Sequence, residues 1–185
     1  MLENLMNLVK ENAGDAIIKN PAIPNERNDE AIAATGSSIT DGLQSMLAGG
    51  GAKDVLKLFG GQGDTSASGP VAQGLTGGLV EKLVSQFGMD RQAAGGVAGN
   101  MIPDVLKKLV SKTNDPNDSS FDLQSIFNTL TNGKTQGTNV SQLVNKLNLD
   151  KDGDGDTDLK DVMAMFSSNK EGNSGIFDTV KGLFN

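Results

Sequence analysis

Apolar residues recur at three- and four-residue spacing along almost the whole chain, the period of helices with one buried face. Leu2, Leu5, Met6, Val9, Ala13, Ala16 and Ile17 predict one opening helix, which stops near "NPAIP", where Pro21 and Pro24 forbid its continuation. A second stripe, Ile32, Ile39, Leu43, Met46 and Leu47, runs into "AGGG", a helix stop. "AKDVLKLFGG" supplies a short third helix. The stretch 60–70, "GGQGDTSASGP", has small polar residues and nothing to bury, so it reads as a flexible linker.

The next block is the most helical. Val71, Leu75, Leu79, Leu83 and Phe87 mark a helix that Gly88 closes. Asp90 is placed to cap another, bearing Ala94, Val97, Ala98, Met101, Val105 and Leu109, which Pro103 should kink. Beyond "SKTNDPNDSS" come shorter stripes: Phe121, Ile126, Phe127 and Leu130; Val140, Leu143, Val144 and Leu147; Val162, Met163 and Phe166; and finally Ile176, Phe177, Val180, Leu183 and Phe184. No two-residue alternation is long enough for a sheet. The expected fold is all-α: a small helical bundle over residues 1–112, then a helix-loop-helix module over 113–185.

Composition limits both the core and the chemistry. Hydrophobic residues make up 36% and aromatics 4%, with no Trp, Tyr, Cys or His, so the core rests on aliphatic side chains, methionines and seven Phe. Nucleophilic sites of the Ser/His/Asp or Cys/His kind are excluded, as are nitrogen- and sulfur-ligated zinc and thiol redox centres. Glycine is abundant, at 24 residues. The pairs Gly74 with Gly78 and Gly95 with Gly99, four apart, predict tight crossing of helices within the chain, because polar Gln73, Glu81, Lys82 and Arg91 make these segments poor membrane spans.

The net charge of −7 is concentrated in one place. Residues 150–161, "DKDGDGDTDLKD", hold six Asp and two Lys, a net −4, and leave −3 for the other 173 residues. So many carboxylates repel one another unless a cation is their missing partner. Side-chain oxygens fall at loop positions one, three, five, nine and twelve (Asp150, Asp152, Asp154, Asp158, Asp161), Asp156 at position seven can offer its backbone carbonyl, and Gly155 stands at the sharp turn of position six. This is the spacing of an EF-hand calcium loop. An all-oxygen donor set suits a hard ion, Ca²⁺ before Mg²⁺. "NVSQLVNKLNL" and "LKDVMAMF" on either side have helical apolar spacing, which fits a loop between helices. At position twelve Asp161 stands where most EF-hands place Glu, as in dockerins; its shorter side chain lowers the expected affinity or ion selectivity.

EF-hands generally pair. Setting Asn114 as position one, 36 residues before Asp150, aligns "SFDLQSIF" with "DTDLKDVM" and places Phe121, Asp122 and Leu123 opposite Thr157, Asp158 and Leu159. Positions three, six and twelve are then Pro116, Ser119 and Ser125, which cannot close around an ion. Two readings of 114–125 stand: a metal-free hand kept for packing, or an ordinary linker and helix.

"GLQSMLAGGGAKDVLKLFGG" followed by "LVEKLVSQFGMDRQAAGGVAGNMIPDVLKKLV" resembles the YidB-like family of bacterial proteins of unknown function. The shared features are the glycine-rich turn between short helices, the "KL..FG.D" helix end and a small-residue helix running into "IPDVLKKL", over about residues 36–112. The resemblance implies a small all-helical domain and no established activity. Nothing in it matches the acidic loop, which reads as an added module.

The expected function is therefore that of a calcium-binding, non-enzymatic interaction or structural protein. Two alternatives are a metal-dependent hydrolase working through carboxylates, and a self-associating helical protein in which Ca²⁺ is only a clip. The partner is an unidentified protein or a second copy of the chain. Nucleic acid is set aside because the largest basic cluster is Lys107 with Lys108. The amino terminus carries acids early and lacks the basic start and unbroken apolar centre of a signal peptide, and no apolar run spans a bilayer, so the expected location is the cytoplasm. The terminal stripe "GIFDTVKGLF" is too short to persist as a lone helix. It either closes the core of its own module or lies in the groove between the EF-hand helices.

Overall fold

The first apolar stripe does not make one helix. In the computed structural model, which describes residues 2–147, α1 (Leu2–Asn12) gives way to a wide π turn over Gly14–Ile18. There the Ile18 and Lys19 N–H groups reach back five residues to the Ala13 and Gly14 carbonyls, at 3.0 and 2.9 Å. Gly14, a poor helix former, sits where the pitch changes. The extra residue in the turn keeps Ile17 fully buried and leaves Ile18 44% exposed, a rotation the apolar spacing does not specify.

The other helices start and stop on local signals. Helix α2 (Asn28–Ala48) carries Asp29 and Glu30 in its first turn, favourable to the helix dipole, and ends at the glycines 49–51. Helix α3 (Ala52–Phe59) follows directly. The stretch after it carries its own hydrogen bonds: the Gln62 and Gly63 N–H groups close onto the Lys57 carbonyl, and Asp64 Oδ1 accepts the Ser66 N–H at 2.8 Å. Pro70 occupies the first position of α4 (Pro70–Phe87), where its missing N–H removes no bond, and Gly88 ends the helix in the left-handed region at φ 64°. Asp90 caps α5 (Arg91–Thr113) by accepting the Gln92 and Ala93 N–H groups at 2.8 and 3.3 Å, and the helix runs on through Pro103. Two short helices complete the described chain, α6 (Leu123–Leu130), capped by Asp122, and α7 (Val140–Leu147). Among the described residues there is no strand, and the fold is all-α.

Helix α2 lies against α1, α3 and α4, while α4 and α5 make the most extensive pair. Their apolar stripes meet in one core that runs from Leu5 to Val144. Leu75, Leu79 and Leu83 of α4 are fully buried, and burial of such a side chain stabilises by ~1.5–3 kcal/mol. The Phe59 and Phe127 rings pack edge to face, centroids 5.8 Å apart at 75°, and join α6 to α3. Arg27, just before α2, stacks over the Phe87 ring at 4.3 Å and donates to the Gln86 carbonyl at 3.1 Å, tying the start of α2 to the end of α4. Among the described residues no helix is long and apolar enough to cross a membrane.

The glycine pairs expected to form close crossings do not. A Cβ built on Gly78, Gly95 or Gly99 meets nothing within 4 Å, and one on Gly74 makes only ordinary contact, 3.5 Å from Met46 Sδ. The tight approaches between helices are both on α2, at Gly36 and Gly42. A Cβ on Gly36 would stand 2.5 Å from Met6 Sδ, and one on Gly42 would strike Leu75 Cδ2. Leu75 is fully buried and has little room to retreat, so Gly42 sets how close α4 can come. Gly42→Ala should lower stability in urea unfolding by about 1–2 kcal/mol through overpacking. Gly78→Ala, with open space around it, should raise it by about 0.5–1 kcal/mol through helix propensity. Changes of the same sign would contradict this assignment of the close approach.

Candidate metal centre

Helix α7 is the element that leads into the acidic loop. Asn139 Oδ1 accepts the Gln142 N–H at 3.1 Å at its start. Gln124 of α6 accepts the Val140 N–H at 3.1 Å through Oε1 and donates Nε2 to the Thr135 carbonyl at 3.1 Å, clamping the α6–α7 connection. Val140 and Val144 are buried in the common core, and α7 packs against α3 and α6. The helix expected before the loop is therefore present over Val140–Leu147, up to the last described residue. Asp150, Asp152, Asp154, Asp156, Asp158 and Asp161 lie outside the described residues, as do the stripes around Val162 and Ile176.

The segment 114–125 is described in full. Helix α5 ends one residue before Asn114, and α6 begins at Leu123, the tenth position in the alignment with 150–161. Phe121, at position eight, is 3% exposed within a short 3₁₀ turn over Ser119–Phe121. The polar groups of this loop bond inward. Asn114 donates Nδ2 to the Phe59 carbonyl at 3.0 Å, and Asp115 Oδ1 accepts the Asn117 N–H at 2.9 Å. Asp118 Oδ1 accepts both the N–H and the hydroxyl of Ser120, and its Oδ2 meets Lys112 Nζ at 3.0 Å. From α1, Asn4 Nδ2 donates to the Ser120 carbonyl at 2.7 Å. An open cleft of about 490 Å³ runs between this loop, the end of α3 and α7, lined by Phe59, Asp118, Phe121, Asp122 and Val144 among others. Among the described residues no three carboxylates gather closely enough to hold a metal.

Lys112 was not picked out by the sequence as a partner of Asp118. The two are six apart and connected through a loop, so the three- and four-residue spacing that marks ion pairs on helices gives no sign of them.

One pair resembles a nucleophile beside a base. Lys82 Nζ lies 2.8 Å from Ser37 Oγ, but it is also ion-paired to Asp41 Oδ2 at 2.9 Å. An ammonium has donors and no acceptor, so it cannot take the serine proton, and Ser37 Oγ donates to the Ala34 carbonyl at 3.1 Å. The triad acts as a tie between α2 and α4.

The carboxyl of Asp118 is lowered from 3.8 to about 2, first by the Ser120 hydroxyl and N–H and then by Lys112. Because the folded value is depressed, its contribution to stability is present above the ordinary carboxylate range and is lost as pH falls through about 2. A carboxyl-carbon NMR titration should give Asp118 a midpoint near 2, rising towards 3.8 in Ser120→Ala; a midpoint near 3.8 in the unaltered protein would contradict these bonds. No family model, curated protein or solved structure matches this chain.

Proposed function

We propose that the chain is a calcium-binding, non-enzymatic interaction or structural protein, with Ca²⁺ held by Asp150, Asp152, Asp154, Asp158 and Asp161 and by the carbonyl of Asp156. The observation that carries the reading is the register of oxygen donors at positions one, three, five, nine and twelve around Gly155. Helix α7, anchored in the core on the amino-terminal side of the acidic loop, supports it by supplying the leading helix that such a loop needs. The donor set is all oxygen, suited to Ca²⁺ and then to Mg²⁺. In the same reading, residues 36–112 form a YidB-like helical domain to which the ion-binding module is joined.

Binding would offset the repulsion among six aspartates and stabilise the folded chain by about 2.7 kcal/mol at a hundredfold excess over Kd. A hydrolase would need an acid, base or nucleophile converging on the ion, with an open coordination position. The ligand pattern of 150–161 is instead one of closure. Partners are proteins or a second copy of the chain.

Calorimetric titration of Ca²⁺ and Mg²⁺ into metal-stripped protein tests the site. Asp150→Ala should weaken Ca²⁺ uptake by more than about 10-fold, and Asp161→Glu, whose longer side chain reaches the ion in bidentate fashion, should tighten it. Equal uptake by the unaltered chain and Asp150→Ala would overturn the assignment.

A further inference from the structure

The loop between α5 and α6 joins two helices but has Pro116, Ser119 and Ser125 at positions three, six and twelve of the alignment with 150–161, and its acids are already engaged. Asp115 and Asp122 accept backbone N–H groups, and both oxygens of Asp118 are taken, one by Ser120 and the other by Lys112. A divalent ion at Asp118 would have to compete with the Ser120 donors and the Lys112 ammonium. Lys112 sits in the last turn of α5, where a cation is also favoured by the helix dipole, and its ammonium reaches Asp118 of the loop at 3.0 Å. Its ammonium faces Asp118 directly, with Glu11 of α1 and Asp115 of the loop contributing further negative potential. Asp118 keeps its side chain mostly covered, at 23% exposure, so this pair is less screened than the others at the surface.

We propose that the Lys112 ammonium is the built-in cation of the 114–122 loop: it closes the α5–α6 unit without a divalent ion, so ion uptake by the chain is confined to residues 150–161. The second clause rests on the function proposed above; the first stands on the described geometry alone. The lysine makes the α5–α6 unit a permanent support, held to α1 through Asn4 and to α3 through Asn114, on which α7 is carried towards the acidic loop.

Amide hydrogen exchange on the full chain, in chelator and in millimolar calcium, tests it. The N–H groups of Asn117 and Ser120 should exchange at the same rate in both conditions. Lys112→Met should speed them roughly two- to fivefold, equally with and without calcium. Asp118→Asn should do the same, the double variant should be no faster than either, and Lys112→Arg should restore the slow rate. Slowing of these amides by calcium in the unaltered protein, rescue of Lys112→Met by calcium, or no effect of Lys112→Met would each overturn the proposal. Ion counting separates the two readings: one bound calcium per chain supports both, two overturn the lysine closure, and none overturns the reading of 150–161 on which only the second clause depends.

Discussion

A carboxylate inside a folded helical chain needs a positive partner or N–H donors, and this requirement connects the fold to its proposed activity. In the described part the partners are internal. Asp41 has Lys82, Asp118 has Lys112 and Ser120, and Asp90 and Asp122 have the free N–H groups at the starts of α5 and α6. In 150–161 the chain offers only Lys151 and Lys160 against six aspartates. A doubly charged hard ion is the partner proposed for that spacing of oxygens, and the two solutions, a lysine observed in one loop and an ion proposed for the other, would answer the same electrostatic demand.

The described body is held mainly by packing of Leu, Ile and Val side chains. With so few aromatic rings, helices must lie close to fill space, and α2 achieves this by offering glycine where Met6 and Leu75 press against it. The Phe59–Phe127 contact and the Asn114 and Gln124 hydrogen bonds then extend the same core to α6 and α7. Order gained at the acidic loop would thus be passed to α7, whose Val140 and Val144 are held in the core, which is the condition for a clip or for a switch.

What the sequence disclosed was local. Gly88 as a stop and Asp90 as a cap can be read because each acts within one turn of itself, and the structure places both in those roles. The π turn at Gly14–Ile18 could not be read, since the apolar spacing from Leu2 to Ile17 suits an unbroken helix and the shift depends on packing from other elements. The glycines misled for a related reason. Spacing shows that Gly74 and Gly78 share a face, but only the assembled fold shows that this face points outward and that Gly42 makes the approach. At the candidate centre, the leading helix was visible in Val140, Leu143, Val144 and Leu147, whereas the Lys112–Asp118 closure spans a loop whose path no periodicity records.

The most direct measurement is a crystal structure of the full chain grown in millimolar calcium. The account predicts a single strong density at the centre of 150–161, with oxygens of Asp150, Asp152, Asp154, Asp156, Asp158 and Asp161 at about 2.3–2.6 Å from it. A well-ordered loop whose carboxylates turn out to solvent around no ion would contradict it.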